Sequence, residues 1–139
     1  MSAEIISIRK RRGPTFKSDG RSAFALFPKS RGYDLLYLYA FGLADGRTKI
    51  GVTCKPRHRL LSHWKAHNGT IVWSHLFSAL PGRSRSQVQA VETKALLMAA
   101  SVSKRIGNTE MFIGLSKAVC IDCVRKSIQG YAPEVAKAA

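Results

Sequence analysis

Leu35-Leu36-Tyr37-Leu38-Tyr39-Ala40-Phe41 is the stretch that decides the fold of this chain. Aliphatic and aromatic residues fill every position, which is typical of a strand buried on both faces of a sheet. Residues 44–47 (Ala-Asp-Gly-Arg) predict a turn, and residues 48–53 predict a second short strand. The two strands are therefore expected to form a hairpin, with Tyr39 and Lys49 close to its turn. Gly51 lies inside the second strand, where a glycine is costly unless another backbone or a ligand approaches closely.

The pattern after the hairpin predicts helices and further strands. Pro56 suits the first turn of a helix that ends near Asn68-Gly69, and residues 71–80 predict a third strand. Apolar residues at three- and four-residue steps predict a long helix over residues 86–104. A short edge strand is expected over residues 111–115, followed by a last helix capped by Ser116. The fold class is therefore α+β, a small three-stranded antiparallel sheet flanked by helices, with a basic N-terminal arm.

The length of 139 residues suits one domain. Residues 1–31 form a basic, partly disordered arm, in which residues 23–27 could lie as an edge strand. The folded domain is expected over residues 32–130, and residues 131–139 are expected to be a frayed tail. The first ten residues lack the extended apolar core of a secretory signal. The longest apolar run of the chain, residues 35–44, is too short to span a bilayer.

The charge of the chain points to a polyanionic partner. Twenty-three Lys and Arg residues against eight Asp and Glu residues give a formal net charge of +15. The basic residues are spread along the chain rather than along one amphipathic helix, which favours nucleic acid, with DNA as the expected partner, over a membrane. Phosphate contacts are expected from basic residues of the arm and of the domain: Arg9, Lys10, Arg11, Arg12, Arg57, Lys65, Arg83 and Arg85. For the arm, a solvated leader without a binding role is an equally good interpretation.

The cysteines indicate a reducing compartment. Cys54, Cys120 and Cys123 are an odd number without the spacing of a disulfide framework, and together with the absence of a signal they predict a cytoplasmic protein. The Cys120-x-x-Cys123 pair is half of a zinc site, which Cys54 and a histidine would have to complete. Buried free thiols are the favoured interpretation.

Five residues carry the chemistry that phosphodiester hydrolysis requires. Tyr39 or Lys49 could take or orient the proton of a water molecule, Arg59 could hold the phosphate oxygens, and Glu92 could bind Mg²⁺. His63 lies one helical turn after Arg59 on the same face and could assist proton transfer. Tyr39 would need cationic neighbours to lower its pKa from about 10. Each residue also has an ordinary interpretation: a core tyrosine, a surface arginine, a structural histidine or one half of a salt bridge.

The spacing of these residues resembles that of the GIY-YIG nuclease superfamily, over about residues 33–128. Tyr37-Leu38-Tyr39 is similar to the first motif and Lys49-Ile50-Gly51 to the second, and residues 109–112 (Thr-Glu-Met-Phe) resemble the motif before the last strand of one branch. The resemblance implies a DNA endonuclease that uses one divalent metal ion, Mg²⁺ or Mn²⁺. By position, it implies catalytic roles for Tyr39, Arg59 and His63, the motif glycine at Gly51, and metal binding by Glu92.

Two departures from the family pattern leave alternatives open. Lys49 stands where a tyrosine is common, and Tyr37-Leu38 stands where Gly-Ile is common. A nucleic-acid-binding module that has lost the chemistry is therefore the second hypothesis, and a structural RNA-binding protein is the third. Asn108 is matched to the family's asparagine near the last strand, while the role of Glu110 stays open. A monomer would nick, whereas a homodimer could cut both strands.

Overall fold

The computed structural model of the chain describes residues 6–9, 36–77 and 85–138. Its elements follow in the order β1 (Ile6–Arg9), β2 (Tyr37–Leu43), β3 (Arg47–Thr53), α1 (Pro56–Ala66), β4 (Ile71–Leu76), α2 (Arg85–Val102), β5 (Lys104–Arg105), β6 (Met111–Ile113) and α3 (Lys117–Ala138). The fold class is α+β, as the sequence predicts. The β2–β3 hairpin is confirmed, with Tyr39 opposite Gly51 and Phe41 opposite Lys49.

The prediction of a three-stranded sheet is wrong in strand number. The described strands form one six-stranded sheet in the order β1-β4-β2-β3-β6-β5, and every neighbouring pair is antiparallel. The expected strands β4, β2 and β3 lie side by side, and the short strand expected over residues 111–115 is present as β6, whereas the unpredicted strands β1 and β5 form the two edges. The strands β1 and β5 are four and two residues long, which is too short to show a period of two in the sequence.

The central strand β2 is buried on both faces, as its composition predicts. Leu38 and Ala40 point to a core that α2 and α3 share, whereas Tyr39 and Phe41 point to the opposite face. Helix α1 covers that second face with apolar residues, among them Leu60 and Trp64. Because side chains alternate along a strand, the odd-numbered residues of β2 face α1. Lys49 of β3 pairs with Phe41, so both catalytic candidates on the hairpin, Tyr39 and Lys49, lie on this face.

The last helix is longer than the sequence predicts. Helix α3 continues through Gly130 to Ala138, where a frayed tail is expected from the sequence. Its start agrees with the prediction, because the Ser116 hydroxyl accepts a hydrogen bond from the Val119 backbone N–H at 3.3 Å. Cys120 and Cys123 are free and buried, as favoured above, and burial raises the pKa of both thiols.

Some sequence predictions fall on residues that the structure does not describe. The arm supplies β1, but the strand considered at residues 23–27 and the end of the third strand at residues 78–80 lie outside the described residues. None of the helices in the described ranges combines the length and the apolar character needed to cross a bilayer.

Two adjacent leucines of α2 test the assigned core. Leu96 is 7% exposed in the core of α2 and α3, and Leu97 is 62% exposed. We expect Leu96→Ala to lower the free energy of unfolding by about 2–5 kcal/mol, and Leu97→Ala to change it by less than about 0.5 kcal/mol. Urea denaturation monitored by circular dichroism measures both. Equal losses for the two variants would contradict the assigned orientation of α2.

Candidate active site

The side chain of Tyr39 lies against the backbone of Gly51 on the neighbouring strand. A Cβ atom at position 51 would lie 2.5 Å from both the Cζ and the hydroxyl oxygen of Tyr39, which is far inside van der Waals contact. Gly51 does not have a positive φ, so only the space taken by the ring requires glycine here. The sequence predicts a close approach at Gly51, and the structure shows that an aromatic side chain makes it.

The hydroxyl of Tyr39 is held by two residues of α1. It lies 2.9 Å from Nε2 of His63, and its oxygen also forms a hydrogen bond with Arg59. Arg59 and His63 are four residues apart and therefore share one face of the helix. The ring of Phe41 packs against the imidazole of His63 with their centroids 4.9 Å apart. The helix and the strand thus fix both the tyrosine and the histidine.

One of the cationic neighbours that Tyr39 would need, Arg59, is present and lowers the pKa of the phenol, but burial has the larger effect. Tyr39 is only 1% exposed, and burial raises its pKa to about 12, although Arg59 acts in the opposite direction. Tyr39 is therefore a neutral phenol near pH 7. Since an arginine can only donate hydrogen bonds, the phenol oxygen accepts from Arg59, and its O–H can donate to Nε2 of His63 in the tautomer that leaves this nitrogen unprotonated.

His63 is neutral for related reasons. Burial lowers its pKa to about 4, and the positive charges of Lys49 and Arg59 add to this effect. A neutral imidazole has one nitrogen that accepts a hydrogen bond, and in this arrangement that nitrogen is Nε2, facing the phenol. His63 is thus placed to receive a proton from Tyr39.

Lys49 forms an ion pair with Glu110. Its Nζ donates to Oε1 of Glu110 at 2.6 Å, and the lysine side chain is 15% exposed. The register explains the contact, because Lys49 pairs with Met111 and the backbone N–H of Ile50 donates to the Glu110 carbonyl at 3.3 Å. Burial alone would raise the pKa of Glu110, but the hydrogen bond and charge of Lys49 hold it below its usual value.

Glu92, a residue of α2, lies beside Glu110. Its carboxyl forms a hydrogen bond with that of Glu110, and burial, together with the nearby Glu110, raises the pKa of Glu92 to about 7. The sequence leads to the expectation of a cation beside this carboxylate. The structure places a second carboxylate there, and the positive charges of Lys49 and Arg105 act on the pKa of Glu92 in the opposite direction.

The donor set of this carboxylate pair suits Mg²⁺ or Mn²⁺, because both ions prefer carboxylate oxygens. The nearby Glu110 and burial favour the protonated form of Glu92, and a divalent cation could take the place of that proton. Within the described residues, no group of three or more His, Cys, Asp or Glu side chains is arranged to hold a metal ion. Oxygen ligands from water or from a bound phosphate would have to complete the coordination.

All five catalytic candidates lie in one cluster. Tyr39, Arg59 and His63 form one hydrogen-bonded group, and Lys49 and Glu92 meet at Glu110. The two groups interact, since Lys49 lowers the pKa of His63 and both glutamates raise that of Tyr39. Glu110 is the member that sequence reasoning left open, and its position beside the last strand was the available signal.

The remaining candidates lie outside this cluster. Asn108 lies in the exposed turn before β6. Of the phosphate-binding candidates, Lys65 and Arg85 are exposed and Arg57 is half-buried. Arg9 belongs to β1, while Lys10, Arg11, Arg12 and Arg83 lie outside the described residues.

Comparison with known proteins adds no relative. No protein-family model, no curated protein and no solved structure matches the chain.

The protonation of His63 gives a first test of this geometry. We expect its Cε1–H resonance to titrate with a midpoint near pH 4, below the usual 6.5. Between these values the unfolded chain binds a proton that the folded chain excludes, so the stabilising contribution of His63 is lost as the pH falls through that window. In Lys49→Gln the midpoint should move upward, because one cation is removed. An NMR midpoint at or above 6.5 in the wild type would contradict the buried hydrogen bond to Tyr39.

The contact between Tyr39 and Gly51 gives a second test. Gly51→Ala forces the phenol to move, so we expect a loss of about 1–3 kcal/mol in the free energy of unfolding and a rise of the His63 pKa. In a Tyr39→Leu background the ring is absent, and the same substitution should cost much less. Urea denaturation of the four proteins in this double-mutant cycle measures the interaction. A cost that is equal in both backgrounds would show that the ring is not the reason for the glycine.

Proposed function

We propose that the chain is a metal-dependent DNA endonuclease of the GIY-YIG type that hydrolyses phosphodiester bonds. The observation that carries the proposal is the convergence of Tyr39, Arg59 and His63 with the carboxylate pair Glu92–Glu110. This cluster offers a proton acceptor, a cation for phosphate and oxygen ligands for a metal, which are the three requirements of the reaction. The charge of +15 supports a polyanionic substrate.

Arg59 binds the scissile phosphate. Its planar guanidinium suits two phosphate oxygens and stabilises the negative charge that grows on them. It is an exposed residue of α1 and now donates to the Tyr39 oxygen. Turning toward the phosphate releases this hydrogen bond and uncovers the hydroxyl for a water molecule.

Tyr39 and His63 move the proton of the attacking water. As the hydroxyl of Tyr39 accepts a proton from the water, it gives its own proton to Nε2 of His63 over the 2.9 Å hydrogen bond. His63 is a weak base in the free protein because burial, Lys49 and Arg59 lower its pKa. The negative charge of a bound phosphodiester, which grows as the water attacks, offsets the effect of these two cations and makes the imidazole more basic.

Lys49 acts as a donor rather than as the base. Its ion pair with Glu110 shows an ammonium group that is held in one position, from which it orients the water or a phosphate oxygen. Glu92, with Glu110 beside it, would hold the Mg²⁺ or Mn²⁺ ion, which supplies positive charge for the leaving oxygen when it is bound. Glu110 thus positions both Lys49 and Glu92.

A nucleic-acid-binding module without catalysis is the second candidate. The burial of Tyr39, at 1% exposure and with a pKa of about 12, favours it, because such a phenol reacts only if Arg59 moves away. The DNA contacts proposed for the basic residues would be the same in both cases. Only cleavage separates the two functions.

Removal of the metal ligand tests the endonuclease. We expect the wild type to nick supercoiled plasmid in the presence of Mg²⁺, and Glu92→Gln to lower the rate by about 100-fold or more, because the cation loses its main ligand. Agarose-gel electrophoresis over a time course measures the rate, and EDTA should stop the wild-type reaction.

Asp122→Asn is the matched control, since it makes the same acid-to-amide change at an exposed ion pair with Lys126 on α3. Its nicking rate should equal that of the wild type. Equal rates for wild type and Glu92→Gln would reveal a contaminating nuclease. Salt-sensitive DNA binding by a wild type that never nicks would identify the non-catalytic module.

A further inference from the structure

A cavity lies on the opposite side of the sheet from the cluster of Tyr39, Arg59 and His63. It has a volume of about 420 Å³ between the β2–β3 turn and the start of α3, and its walls include Arg47, Trp73, Ser116 and Lys117. Trp73 packs at the border of the core of α2 and α3, whereas Tyr39 belongs to the core under α1. The volume lies within the range of small-ligand sites.

Trp73 is held in place by a glycine. It pairs with Gly42 across β2 and β4, and a Cβ atom at position 42 would lie 2.0 Å from the indole Nε1. The indole therefore lies against bare backbone, as Tyr39 does at Gly51. Trp64, the other tryptophan of the chain, is only 3% exposed, whereas Trp73 is half-buried and borders the cavity.

The charges around the indole favour an anion. The Nζ atom of Lys117 lies over the Trp73 ring, 5.9 Å from its centroid. Lys117 begins α3, whose first turn contains no acidic residue, so the helix dipole adds to the positive potential. Arg47 is partly neutralised by Asp45, whose carboxylate accepts from its Nε at 2.7 Å. Lys117 is thus the main cation for a ligand phosphate.

We propose that this cavity binds one unpaired nucleotide, with its base stacked on Trp73 and its phosphate beside Lys117. An aromatic face next to a cation is the combination that binds single strands without sequence preference. Stacking of a base on tryptophan is stronger than an exposed cation–π contact, so the base displaces the Lys117 ammonium from the ring toward the phosphate. Binding here requires no hydrolysis, and the proposal stands whether or not the chain is a nuclease.

Fluorescence and anisotropy in EDTA test the proposal without cleavage. A short single-stranded oligothymidylate should quench the tryptophan fluorescence of the wild type in a saturable way, while buried Trp64 supplies a constant background. With a fluorescein-labelled oligothymidylate, Trp73→Leu should weaken binding about tenfold. Trp73→Phe keeps an aromatic face and should recover much of the affinity. If the indole had only a structural role, Trp73→Phe and Trp73→Leu proteins of equal stability would bind the oligonucleotide equally well.

Lys117→Gln and Lys126→Gln form a matched pair, because each removes one positive charge from α3 and only Lys117 borders the cavity. We expect a several-fold loss of affinity for Lys117→Gln and little change for Lys126→Gln. Equal losses, or an unchanged affinity in a folded Trp73→Leu, would overturn the proposal and leave only general electrostatic binding.

Two further ligands show whether the site takes a nucleotide of a single strand, a nucleotide of a duplex or a free nucleotide. Fully paired duplex DNA should show no dependence of affinity on Trp73, because its bases are not free to stack. Quenching by free thymidine monophosphate at lower concentrations than by the oligonucleotide would support a site for a free nucleotide. Tighter binding of the oligonucleotide supports a strand.

Discussion

The contact between the Tyr39 ring and Gly51 is the constraint on which the candidate site depends. A side chain at position 51 would occupy the space of the phenol, so the strand gives up a Cβ atom and the stability that a larger residue would provide there. In return, the ring lies across β3 with its hydroxyl under α1. His63 and Arg59 then meet one oxygen atom from one face of the helix.

Lys49 joins the two halves of the cluster. It lies two residues before Gly51 on the same face of β3, and it binds Glu110 while its charge reaches His63. The protonation states follow from these positions. His63 is neutral because it is buried beside two cations, and Glu110 is ionised because Lys49 donates to it. A bound substrate phosphate would raise the pKa of His63, and a bound cation would lower that of Glu92.

The sequence predicts the centre of the fold well because β2 carries a strong signal, an unbroken apolar run that only a strand buried on both faces explains. It does not predict the edge strands β1 and β5, since two to four residues carry no period, although it does predict the short strand β6. The pairing of Tyr39 with Gly51 follows from the hairpin register, and the shared face of Arg59 and His63 follows from the helical spacing, but the contact between Tyr39 and that helical face depends on how α1 packs on the sheet. The contact of Glu92 with Glu110 does not, because it depends on how α2 packs against a strand that follows it in the chain. The pKa of Tyr39 does not follow from the sequence for a similar reason: the sequence shows which charges could lie nearby, but the burial that raises the pKa depends on the packing of α1 on the sheet.

The carboxylate pair is difficult to explain by stability alone. The chain has eight acidic residues and twenty-three Lys and Arg residues, so each acid has cations available to it. Asp45 and Asp122 each pair with a basic neighbour at the surface. Glu92 instead lies against Glu110, where burial and the second carboxyl raise its pKa to about 7, and its ionised form is therefore destabilised in the free protein. A divalent cation bound at the proposed site would remove this repulsion and favour the ionised form, so the arrangement that is unfavourable in the free chain would become favourable if a metal ion and a phosphate bound together.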